Sequence, residues 1–295
     1  MNAAILELER AAAEHWRAPS TERLGGWLLR AASGFTGRAN SALPLGSPGL
    51  PLPAAVAAVS SWYRARELPP MIAVPGPLDG QMGPLDEYLA EQSWSVRSGA
   101  AVVMTASVAD VPVPSSADVR IDPEPDAAWC ALYRYRGQPL PPTARALLMS
   151  APWQAFASIR SGDGAAIAVG RTSVAHGWGM ITAVEVDPAF RRRGLGVTIT
   201  AALCHEAARQ GASRIQLQTV TGNAPARSLY ARCGFRLAHR YHYRVAPPAL
   251  SPDPRLPEAS LRTLPTPRVT SKPSLRTLPT SRVPKYQGIS GAKVS

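Results

Sequence analysis

Between residues 118 and 246 the apolar positions alternate between two periods. Leu195, Ile199, Ala202 and Leu203 recur at helical spacing and predict a helix over 194–210. Short apolar runs rich in Val, Ile, Phe and Trp predict strands over 118–122, 153–160, 164–172, 177–187, 214–219 and 235–245. Helices are expected between them at 125–136, 141–150 and 224–233. This alternation is the signature of an α/β sheet.

The residues before this region carry a similar pattern. A helix is expected at 3–16, strands at 26–32 and 38–44, a helix at 53–67, a strand at 70–75, a helix at 83–92 and strands from 94 to 108. From residue 53 onward that order matches the order from 194 onward. The segment PLDEYLAEQSWSV, from Pro84, also aligns without gaps on PARSLYARCGFRL, from Pro225, pairing Ala90 with Ala231 and Trp94 with Phe235. The prolines and serines of VADVPVPSSAD interrupt both patterns. The expected organisation is a first domain at 1–108, a linker at 109–117, a second domain at 118–246 and a tail at 247–295.

Charge changes this picture only by where it sits. The chain has 295 residues and a formal net charge of +12. Residues 1–117 hold 8 Arg against 10 acids, residues 118–250 hold 16 Arg against 8, and residues 251–295 hold 8 bases against 2. The last segment contains eight prolines and repeats SLRTLPTPRV, from Ser260, as SLRTLPTSRV, from Ser274, so it is expected to be a disordered basic tail. Such a tail could attach to nucleic acid or another polyanion, but it interleaves no aromatic stacking platforms and is read as a solvated extension. Cys130, Cys204 and Cys233 have neither paired nor metal-ligand spacing, and no apolar run is long enough to span a membrane. A soluble, cytoplasmic protein without a metal site is expected.

The candidate chemistry is concentrated in ITAVEVDPAFRRRGLGVTITAAL, residues 181–203. A strand ends at Asp187 and Pro188, a basic turn follows, and Gly194 and Gly196 open a helix whose first N–H groups have no internal partner. With Arg191, Arg192 and Arg193 alongside, the turn suits a pyrophosphate. It is not a dinucleotide fingerprint, since Ile199 stands where a third glycine is needed, nor a P-loop, since this half has no lysine.

The pattern V-x-P-x-x-R-x-x-G-x-G, Val186 to Gly196, instead resembles motif A of the GCN5-related N-acetyltransferases (GNAT). TVTGNAPARSLYARCGF, residues 219–235, is similar to the family's motif B. The resemblance implies the GNAT fold: a mixed, largely antiparallel central sheet with one splayed strand pair, flanked by helices. It covers 118–246, and 1–108 reads as a degenerate copy, because SALPLGSPGLPLPAAV lacks the R-x-x-G-x-G and should not hold a cofactor the same way.

The resemblance further implies acetyl-CoA as acyl donor. Val184, Glu185 and Val186 would lie on the splayed strand beside the pantetheine arm, and Arg192, Arg193, Gly194, Leu195, Gly196 and Val197 would cradle the pyrophosphate, with Arg191 adding charge. Asn223 would help hold the arm. Tyr230 would protonate the departing thiolate, and a strand N–H near Val186 would stabilise the oxyanion. The strand position five residues before the motif B Asn, often Glu in relatives, is Gln218, which cannot act as a base, so Glu185 is the candidate base. The acceptor would be a small-molecule amine or a protein amino group.

Simpler readings stand beside these. Glu185 could be a surface carboxylate paired with arginine, Asn223 a helix cap, and Cys233 a buried small residue. His205 and Cys204 are adjacent on a helix and point about 100° apart, which favours packing over a nucleophile pair. Arg38 and Asn40 are expected on one face of a strand, opposite Ala39 and Ser41; that face could line the acceptor side, but it is read as a half-exposed strand. The alternative function is a catalytically inactive acyl-CoA-binding or interaction protein, motivated by Gln218 and the tail.

Overall fold

The computed structural model describes residues 2–114, 118–135 and 137–248; the expected tail lies outside them except for its first two residues, as do three residues of the expected linker. In chain order the first half contains α1 (Ala3–Glu14), β1 (Ser20–Leu24), β2 (Trp27–Ala31), β3 (Leu43–Pro44), α2 (Leu52–Arg64), β4 (Met71–Gly76), α3 (Pro84–Glu91), β5 (Ser95–Val96) and β6 (Ala101–Ser107). The second contains β7 (Arg120–Asp122), α4 (Ala127–Leu132), α5 (Ala144–Leu148), β8 (Trp153–Arg160), β9 (Ala166–Ala175), β10 (Trp178–Val186), α6 (Leu195–Arg209), β11 (Arg214–Val220), α7 (Ala224–Arg232) and β12 (Arg236–Val245). Among the described residues no helix is long and apolar enough to cross a membrane.

One expected strand differs. Over 38–44 only Leu43–Pro44 is extended, and Gly37–Ala39 forms a 3-10 turn. The cause is Asn40, whose Oδ1 accepts the N–H groups of Ala32 (2.7 Å) and Gly34 (2.9 Å) while Nδ2 donates to the carbonyls of Phe35 (2.7 Å) and Thr36 (2.9 Å). A buried amide that satisfies this much backbone replaces the strand ladder. Asn40 is therefore a scaffold for the 32–40 loop and shares no face with Arg38.

The large sheet runs β4-β12-β6-β11-β10-β9-β8-β7, with β5 added beside the end of β12. Every pairing is antiparallel except β10 with β11. This is the mixed, largely antiparallel α/β sheet expected. The two halves exchange their closing strands: β6 of the first pairs with β11, and β12 of the second inserts between β4 and β6. The first half also holds a separate sheet, β1-β2-β3, whose end meets β4 through a parallel bridge between Ala42 and Ile72.

Apolar side chains alternate across the sheet into two layers. On one face Ile199, Leu203 and Ala207 of α6 pack on Ile181, Ile215, Leu217 and Phe235. On the other, Trp129, Leu148, Phe156 and Met180 pack with Trp16 and Phe35 of the first half. A third cluster, including Trp27, Val59, Tyr63, Ile72 and Leu89, fills the first half.

Candidate active site

Strands β10 and β11 pair only from Trp178 with Arg214 to Ile181 with Leu217 and then part. The parting begins at a bulge between Thr182 and Glu185, where Ala183 has φ +55°. A non-glycine residue in the left-handed region re-aims the strand, which is what a bulge next to a site does. Asp187 N–H donates to Ile167 on the β9 side at 2.9 Å. Strand N–H groups alternate in direction, so those of Val184 and Val186 face the opening.

The opening leads into a cleft of about 870 Å³ lined by Val184, Val186, Arg191, Arg192, Gly194, Leu195, Gly196, Val197, Asn223 and Tyr230. Gly194 caps α6 with φ +79°, a conformation glycine supplies without steric cost. A Cβ on Gly196 would lie 2.5 Å from Leu229 on α7, so the glycine sets how closely the two cleft walls approach. Asn223 caps α7, its Oδ1 accepting Ala226 N–H at 3.1 Å, and also faces the cleft. Two expected residues sit apart. Arg193 turns its guanidinium to the Ala189 carbonyl (3.4 Å) and to the Phe190 ring, and Glu185 alternates to the other side of β10. The helix start, the glycines, Arg191 and Arg192 fit a pyrophosphate, and the unpaired strand edge fits an amide-bearing arm.

Tyr230 lines the cleft together with Val184 and Val186 of β10. Burial pushes its phenol well above the ordinary value, with Cys233, Cys204 and Glu185 adding in the same direction. It therefore stays protonated at neutral pH and has a proton to give. Glu185 is half-buried; burial raises its carboxyl, and Arg191, 3.2 Å away, draws it back down. Glu185 also acts electrostatically on Tyr133, whose phenol is raised by burial and lowered by Arg38 and Arg171.

Gln218, the first residue of β11 beyond the parting, accepts Arg38 Nε–H and the Tyr241 hydroxyl (3.0 Å) through Oε1. The sequence singled out Gln218 and Arg38 separately, and the fold brings them together. It did not point to Trp16, Tyr133, Arg171 or Tyr241, because each reaches this place through pairings distant in the chain and lies in no motif.

In the first half the loop that follows β3 is covered by its own chain. Gly26 N–H donates to Ser47 (2.6 Å) and Trp27 Nε1 to the Gly46 carbonyl (3.1 Å), so the β1–β2 hairpin packs onto that loop. His205 and Cys204 diverge as their spacing requires: His205 Nε2 meets the Pro112 carbonyl at 3.2 Å, whereas Cys204 is fully buried.

Residues 2–244 match the family described as probable histone acetyltransferase Rv0428c C-terminal. An uncharacterized N-acetyltransferase of Bacillus subtilis, YobR, is 26% identical over 254 residues, covering 82% of this chain and 98% of that protein. The probable histone acetyltransferase Rv0428c of Mycobacterium tuberculosis is 37% identical over 136 residues, 45% of this chain and 40% of the relative, so the match spans less than half of that protein. Among solved structures, a GCN5-related N-acetyltransferase from Kribbella flavida superposes with TM-score 0.61 at 18% identity, covering 84% of this chain and 96% of its own. A tandem GNAT protein from the clavulanic acid biosynthesis pathway gives 0.58 at 15% identity, covering 82% and 87%. These two likenesses bear on the fold.

Proposed function

Because the chain belongs to the GCN5-related N-acetyltransferases, in the family described as probable histone acetyltransferase Rv0428c C-terminal, we propose that it moves an acetyl group from acetyl-CoA to a primary amine by direct attack. The observation that carries this reading is the parting of β10 from β11 beside the glycine-capped start of α6, with Tyr230 lining the cleft that they share. Backbone groups of Val184 and Val186 pair with the pantetheine arm, and the α6 N-terminus with Arg191 and Arg192 holds the pyrophosphate.

Glu185 takes a proton from the acceptor ammonium, directly or through a water. The neutral nitrogen attacks the thioester carbonyl, and the Val186 N–H stabilises the resulting oxyanion. As the C–S bond breaks, Tyr230 gives its proton to the sulfur, and the nitrogen loses its remaining extra proton to solvent, leaving an amide and free CoA thiol. The first half, with its loop after β3 covered, contributes to the acceptor side and holds no second acetyl-CoA.

Calorimetric titration of acetyl-CoA into the wild type and a Gly194→Glu, Gly196→Glu variant tests the donor site. Binding lost in the variant supports it; a folded wild type that binds no acetyl-CoA refutes it. Release of CoA thiol with amines, diminished roughly a hundredfold or more in Tyr230→Phe, tests the reaction. Gln218 supports a second reading, a binding protein without turnover, because an amide at this position supplies no base. Acetyl-CoA binding without CoA release from any amine would favour that reading.

A further inference from the structure

At the mouth of the parted strands, on the sheet face opposite α6, two arginines converge on one tryptophan. Thr182 and Gln218 are the first residues beyond the last β10–β11 pair, and each holds an arginine: Arg171 Nη1 donates to Thr182 Oγ1 (3.3 Å), and Arg38 Nε to Gln218 Oε1. The Trp16 ring lies between them, 5.0 Å from the Arg171 guanidinium carbon and 5.8 Å from that of Arg38. Trp16 is 2% exposed, and its Nε1 has no hydrogen-bond partner among the described residues. Neither arginine is in an ion pair among them.

The two cations are not equivalent. Arg171 is fully buried and spends its donors on the Leu148 and His15 carbonyls, Ser173 and Thr182, so it contributes field rather than contact. Arg38 is only half-buried, and among the described residues its two terminal nitrogens make no hydrogen bond. Nearby carboxylates are engaged elsewhere: Glu9 with His239 at 2.8 Å and Glu185 with Arg191 at 3.2 Å. An arginine held through Nε alone presents its terminal pair for a bidentate oxyanion.

We propose that Arg38 is the acceptor's carboxylate receptor, so that the amine acetylated by this chain is an amino acid rather than a simple amine. The identity of residue 218 follows: a glutamate there would ion-pair with Arg38 and cancel its charge, whereas the glutamine amide oxygen orients the guanidinium and leaves the charge available. The inference rests on the acetyltransferase reading above and narrows its acceptor class.

The test measures CoA release with the free proteinogenic L-amino acids and their C-terminal amides, in the wild type, Arg38→Ala and Gln218→Glu. The expected result is a wild-type kcat/KM for at least one free acid roughly ten- to a hundredfold above that of its amide, a ratio that collapses towards one in both variants. Gln218→Glu keeps a hydrogen-bond acceptor for Arg38, so it separates lost charge from lost folding, and unchanged acetyl-CoA affinity in each variant reports an intact second half. Turnover with amides equal to that with acids, or variants that lower both equally, overturns the carboxylate assignment and leaves acetyl transfer standing. Failure to bind acetyl-CoA, or to release CoA with any amine, overturns the acetyltransferase reading and this inference with it.

Discussion

At the scale of single residues, burial shifts two ionisable groups in directions that a pH dependence reports. Burial raises the Glu185 carboxyl and Arg191 opposes the rise without reversing its direction. A base acts only when ionised, so kcat/KM for a protonated amine should rise with pH through a limb above the ordinary carboxylate value. Glu185→Gln should lower kcat/KM roughly a hundredfold and erase that limb; a pH–rate profile that keeps it would show the base is elsewhere. His15 bears on stability instead. It is fully buried against Ser173 Oγ (2.8 Å), and burial, with Arg171 and His176, lowers its pKa from 6.5 to about 3. The unfolded chain then binds a proton that the folded chain refuses, so stability is full above about pH 6.5 and is lost as pH falls towards 3. The slope should approach about 1.4 kcal/mol per pH unit from this group, and denaturant titrations of the wild type and His15→Gln between pH 7 and 4 should diverge accordingly.

Elements set how much of this could be read in advance. The α6 start, its glycines and the Asn223 cap are local arrangements within one strand–turn–helix, and local pattern located each of them. The 38–44 segment was misleading for an equally local reason: its alternating polar and small residues imitate a strand, and only the four close bonds of Asn40 reveal a loop. Arg38 meets Gln218 across 180 positions of sequence, a separation no periodicity reports. Packing of α6 on α7 yields a prediction of its own. Since a Cβ at 196 would sit 2.5 Å from Leu229 Cδ1, Gly196→Ala must push the cleft walls apart or turn Leu229 into the cleft. Overpacking of this kind costs about 1–3 kcal/mol, so acetyl-CoA affinity should fall roughly tenfold or more by calorimetry. An unchanged dissociation constant would mean Leu229 yields freely.

Across the whole molecule the exchange of closing strands decides how the two halves behave. In a tandem of independent domains each sheet would close on its own last strand. Here β4 has β12 as its neighbour in the large sheet, and β11 has β6 opposite β10, so each half completes the other's hydrogen-bonded ladder. The helix α1 reinforces the joint: Glu9 pairs with His239 at 2.8 Å, Trp178 Nε1 donates to Glu7 at 3.1 Å, and the carbonyl of His15 receives Arg171. A fragment ending at residue 108 would leave β4 without β12, and one beginning at 118 would expose the full edge of β11 and the cavity vacated by Trp16. Unpaired edges of that length bind other chains. We therefore expect each fragment alone to be aggregated or unfolded by circular dichroism, and the two expressed together to recover acetyl-CoA binding. For the intact chain, tryptophan fluorescence and far-ultraviolet circular dichroism should report one coincident denaturant transition. Two separated transitions, or a second-half fragment that folds and binds acetyl-CoA unaided, would show that the exchanged strands join domains already stable in isolation.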